Sequence, residues 1–71
     1  MRTEQFVLKY SYGVHTVAVQ ANGGSLKVEK AVGSIWVQTD LFSTDGAWRL
    51  DLGNSPTRFT PIGSAAYQVE K

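Results

Sequence analysis

The stretch "WRLDLGNSPTRFTPIGSAAYQVE", Trp48 to Glu70, decides the fold class. Trp48, Leu50 and Leu52 alternate with Arg49 and Asp51, the two-residue period of a strand with one face on a core and one in water. "GNSP" then breaks the pattern. Arg58 to Ile62 resumes it, with Pro61 predicting an edge or a strand end, where a missing amide donor does little harm. "GS" leads into a last strand over Ala65 to Glu70, with Tyr67 and Val69 inward.

The same reading extends toward the N-terminus. Glu4 to Tyr10 places Phe6, Leu8 and Tyr10 on one face, closed by "SYG" at residues 11–13. Val14 to Gln20 puts His15, Val17 and Val19 on one face and Val14, Thr16 and Ala18 on the other. "ANGG" at residues 21–24 is a hairpin signal, because Asn and Gly accept the positive φ angles of tight primed turns. Ser25 to Lys30 follows, with Leu26 and Val28 inward and Lys27 and Glu29 outward. After "AVGS", Ile35 to Leu41 sets Ile35, Val37 and Thr39 against Trp36, Gln38 and Asp40. "STDG" supplies an Asp-Gly turn into the Trp48 strand.

No stretch of a dozen residues keeps helical spacing, and glycine punctuates often. The expected fold is therefore all-β: a small antiparallel β-sandwich or partly open barrel of 6–7 short strands. Residues 1–71 read as a single β-domain, with 1–5 as a flexible N-terminal arm.

A chain of 71 residues buries about 60% of its unfolded surface, so its core is small and its stability is on the order of 4 to 10 kcal/mol. Small domains gain from disulfides, metals or partner chains. There is no cysteine and one histidine, which excludes a disulfide and argues against zinc, whose structural sites take four thiolate and imidazole ligands. Partner chains remain. Seven basic and six acidic residues are scattered rather than striped, so direct nucleic-acid binding is not expected. The apolar runs are too short to span a bilayer, "MRTEQFVLKY" lacks the apolar core of a signal peptide, and the default compartment is cytoplasmic.

Candidate chemistry is sparse. A hydrolase would have His15 take a proton from a serine, but Ser43 lies in a turn and no nucleophile elbow is present, so His15 reads as an ordinary strand or interface histidine. Asp40, Asp45 and Asp51 match no calcium loop. Asp45 is better explained as the aspartate of its turn. No catalytic residue, metal or cofactor is expected. The aromatics Tyr10, Tyr12, Trp36, Phe42, Trp48, Phe59 and Tyr67 are many for so small a body. Trp48 shares the face of Leu50 and Leu52 and reads as core; Trp36 faces away from Ile35 and Val37 and reads as exposed or interfacial. Arg49 and Arg58 read as rim positions of the kind arginine favours at interfaces. Tyr12, Trp36, Phe42, Arg49 and Arg58 are the interface candidates.

The run "VAVQANGGSLKVEKAVGSIWVQTDLFSTDGAWRLDLGNSPTRFTPIGSAAYQVE", about three quarters of the chain, resembles the small all-β virion proteins of tailed bacteriophages. The features that carry it are Gly23 and Gly24, Trp36, Asp45 and Gly46, Trp48 to Asp51, Arg58 and Phe59, and Gly63. The resemblance implies a non-enzymatic virion structural protein, a capsid decoration or cement protein assembled in the host cytoplasm. It also implies a homo-oligomer, a trimer being favoured, with the major capsid protein or another virion protein as partner and residues 1–5 ordering on the shell. The competing readings are a carbohydrate-binding β-module using exposed aromatics and a small nucleic-acid-binding barrel.

Overall fold

A computed structural model describes residues 1–10 and 12–71; Ser11, the first residue of the expected "SYG" turn, lies outside the described residues. The strands are β1 (Phe6–Leu8), β2 (Val14–Gln20), β3 (Ser25–Val32), β4 (Ile35–Phe42), β5 (Gly46–Asp51), β6 (Thr57–Ile62) and β7 (Ala66–Glu70). They form two antiparallel sheets, ordered β1-β6-β3-β4 and β5-β2-β7. The all-β expectation holds.

Alternation places the core as read. Val17, Val19, Leu26, Val28, Leu52, Phe59 and Tyr67 form one buried cluster, with Phe6, Leu8, Phe42, Trp48, Leu50 and Val69 packed against it. Phe59 stacks on Tyr67 at 5.9 Å and on Phe6 at 6.4 Å between ring centroids, which joins the two sheets through aromatic area. Tyr10, expected on the Phe6 face, lies past the end of β1 and is exposed.

Of the six connections between strands, β3–β4 stays in its sheet and the other five change sheet. "ANGG" shows how. Asn22 and Gly23 have φ of 50° and 83°, and the Gly24 amide donates to the Ala21 carbonyl at 2.7 Å, as a primed turn requires. The flanking strands nevertheless separate: β2 joins one sheet and β3 the other, so this turn is an inter-sheet corner rather than a hairpin. Turn chemistry reverses the chain but does not choose the sheet. Asp45 completes the corner, its Oδ1 accepting the Ala21 amide at 2.8 Å.

A second corner, between β6 and β7, packs on the first. A Cβ at Gly24 would lie 1.9 Å from the Ile62 carbonyl oxygen, and Asn22 Nδ2 donates to the Ser64 carbonyl at 3.2 Å. Pro61 is the penultimate residue of β6, past the last pair with β1. It thus sits at a strand end, although β6 itself is central.

The two flanks of the sandwich differ. On one, Arg2 and Tyr67 exchange backbone hydrogen bonds of 2.7 and 2.9 Å, the Tyr67 hydroxyl donates to the Glu4 carbonyl at 2.6 Å, and Gln5 bonds Thr60 at 3.0 Å. The stretch expected as an arm is therefore bonded to both sheets, and it seals that side before entering β1. On the other flank, β4 and β5 each pair with one neighbour and present an outer edge.

Candidate interaction surface

β4 combines that open edge with an irregularity. Its ladder with β3 runs Leu26↔Phe42, Lys27↔Leu41, Val28↔Asp40, then Glu29↔Gln38, Lys30↔Val37, Ala31↔Trp36 and Val32↔Ile35, leaving Thr39 as an extra residue. Such a bulge resets the alternation. Residues paired in an antiparallel ladder share a face, and Leu26 and Val28 are fully buried. Phe42 and Asp40 therefore follow the inner face on one side of the bulge, and Val37 and Ile35 on the other. Leu41, Gln38 and Trp36 are outward. Asp40, expected beside Trp36 and Gln38, is moved to the opposite face by the bulge.

Ile35 and Val37, set on the face opposite Trp36, are uncovered. They are 61% and 40% exposed, and neither belongs to the core cluster or packs against it. Val32, at 56%, joins them, and Leu41, at 51%, is exposed on the outer face. The apolar residues left uncovered in the sheets are concentrated on this hairpin.

The outer face of the same sheet holds an ordered polar cluster. Arg58 lies opposite Glu29 on β3; its Nη2 and Nε both reach Glu29 Oε1, at 2.8 and 3.0 Å. The guanidinium lies over the Trp36 ring, 4.5 Å from its centroid. Lys27 Nζ is 3.9 Å from the same carboxylate oxygen. Glu29 is nearly buried beneath these groups, so two cations share one carboxylate and Arg58 is held in one rotamer. Sheet register brings together residues 22 and 29 positions apart in sequence.

The five interface candidates do not form one surface. Trp36 and Arg58 meet on the outer face of the four-stranded sheet. Arg49 is exposed on β5 opposite Thr16, on the outer face of the other sheet. Phe42 points to the core side and stacks on Trp48 at 4.2 Å, which gives it a packing role. Tyr12 is exposed in the β1–β2 connection. Glu29, Ile35, Val37 and Leu41 were not singled out. Glu29 looks like an ordinary outward residue until Arg58 is placed beside it, and alternation does not show that Ile35 and Val37 are left uncovered.

His15 is buried on the inner face opposite Leu50, and its Nδ1 has no hydrogen-bond partner among the described residues. Among the described residues no cavity is found, and no group of three or more acidic or imidazole side chains that could hold a metal occurs. Among the described residues no helix is long and apolar enough to cross a membrane.

The chain matches no family model, no curated protein and no solved structure.

Proposed function

We propose that the chain is a non-enzymatic structural protein that works by contact with other protein subunits, in the setting the resemblance implies: a decoration or cement protein of a tailed-phage head, bound to the major capsid protein. The observation that supports this is the Trp36–Arg58–Glu29 cluster beside an uncovered apolar hairpin. Tryptophan and arginine dominate the few positions that carry most interface energy. Glu29 already fixes the Arg58 side chain, so less rotamer entropy is lost when a partner covers it. A sugar platform, by contrast, needs an open ring face, and Arg58 lies over that of Trp36.

The test is co-sedimentation of the purified chain with expanded heads built from the major capsid protein of the same genome. Binding in stoichiometric amount, a higher melting temperature of the head, and loss of both in Trp36→Ala are expected. A chain that stays in the supernatant at saturating concentration overturns the proposal.

A further inference from the structure

We infer that the open edge of β4 pairs with the β4 of a second copy of this chain, antiparallel about a two-fold axis between Gln38 and Thr39. The inference goes beyond the decoration reading and does not depend on it.

The argument begins with what protects an edge. Exposed strand edges are usually blunted by lysine, proline, inward charges or a bulge. β4, Ile35–Phe42, has neither lysine nor proline, and its one charge is Asp40. β5 carries Arg49 and Asp51, β7 is met by Arg2, and β1 is three residues long. β4 is thus the longest of the outer strands, and its protections are the inward Asp40 and the bulge at Thr39.

A bulge blocks an ordinary partner strand because the extra residue puts every position beyond it on the wrong face. A second copy is the exception. With the axis between Gln38 and Thr39, Ile35 of one copy lies opposite Phe42 of the other, Trp36 opposite Leu41, Val37 opposite Asp40, and Gln38 opposite Thr39. The facing established by the β3 ladder puts Ile35 and Phe42 both inward, Trp36 and Leu41 both outward, and Val37 and Asp40 both inward. Two matching bulges keep both faces in register from end to end, which a regular strand in the same place does not. Charge agrees with this register: the aspartates are staggered, and each faces a valine rather than its twin. Pairing also brings the exposed Ile35 and Leu41 against aromatic residues.

Size sets the strength. Eight residues at about 3.4 Å each give a strand of about 27 Å, and the molecule is 16 Å across its thinnest dimension. The edge therefore offers roughly 430 Å² per copy, which leaves the pair in the weak class, below the roughly 1,200 Å² total of stable interfaces. A pair of that class is transient and is sought at high protein concentration. The symmetry makes pairs, in place of the trimer implied by the resemblance.

The test is sedimentation equilibrium of the full chain up to millimolar concentration, with folding of each variant checked by circular dichroism. Val37→Asp sets two aspartates opposite two others and should weaken the pair about tenfold, whereas Val37→Lys sets lysines opposite those aspartates and should leave it as tight or tighter. The chain has no cysteine, so single-cysteine variants report the register. Gln38→Cys sits within about 6 Å of its symmetry mate, inside disulfide range, and should cross-link on oxidation; Leu41→Cys, some five residues from its mate, should not. A chain monomeric at millimolar concentration, a trimer, equal loss with Val37→Asp and Val37→Lys, or cross-linking through Leu41→Cys overturns the inference.

Discussion

Replacing Gly24 by alanine tests the stacked corners. The added Cβ would lie 1.9 Å from the Ile62 carbonyl oxygen, 3.0 Å from its carbon and 3.2 Å from the Ser64 nitrogen, against an optimum near 3.5 Å or more for non-bonded heavy atoms. All three neighbours are backbone, so no side chain can rotate away. Relief requires the β6–β7 corner to move by more than an ångström, which strains the Asn22–Ser64 hydrogen bond. Overpacking costs about 1–3 kcal/mol, and a rigid backbone obstacle puts this site at the upper end, near 3 kcal/mol. For a domain of this size that lowers the melting temperature by about 12–24 °C. Gly33→Ala is the control: its φ is 62° but nothing lies within 4 Å of its Cβ, so it carries the left-handed penalty alone, about 1 kcal/mol. Urea unfolding followed by tryptophan fluorescence compares the two. If Gly24→Ala is no less stable than Gly33→Ala, the corners do not pack as described.

Asp45→Ala leaves the amide of buried Ala21 without its acceptor; a loss of about 1–2 kcal/mol is expected, with faster hydrogen exchange at that amide as the check. His15→Leu removes a buried nitrogen that has no partner among the described residues and should raise stability by about 1 kcal/mol in urea unfolding; a loss would mean the imidazole is satisfied in solution. Burial holds the Tyr67 phenol above its ordinary value of 10.0, with the Arg2 charge pulling partly back. The folded state therefore keeps its proton longer than the unfolded chain, and stability falls as pH rises above about 10. Lys30, lowered by burial against the pull of Asp51, acts with the opposite sign, its penalty fading as pH rises toward 10.5. Tyr67→Phe should lose about 1 kcal/mol at neutral pH, with the bond to Glu4, and should abolish the alkaline decline; an unchanged decline refutes the assignment.

The strands were legible because each buries one face, and alternation at Trp48–Leu52, Val14–Gln20 and Tyr67–Val69 records that burial directly. Turns at Asn22–Gly23 and Gly33 were legible because few residues take a positive φ. Pairing was not. Whether "ANGG" closes a hairpin or turns a corner depends on partners that arrive later in the chain. The bulge was hidden because Thr39 is a good strand residue and nothing in "IWVQTDLF" marks it as extra. The candidate surface suffered most: Trp36 and Arg58 were each suspected, but their union through Glu29 needs both the β3–β4 and the β3–β6 registers. The same bulge turns Phe42 toward the core side, where it stacks on Trp48.

The five sheet-changing connections also bear on how the chain reaches this state. A strand that leaves for the other sheet finds its partners only after distant segments have arrived: β2 waits for β5 and β7, and β6 must meet both β1 and β3. The β3–β4 unit, joined by Gly33 and Ser34, is the piece able to close on the microsecond scale of a hairpin. The rest must first meet the entropy of closing long loops, which places folding in the millisecond-to-second range of non-local β topologies. During that interval the hairpin is already formed and β4 lies bare, so the edge that serves the folded protein is also the one its folding must protect.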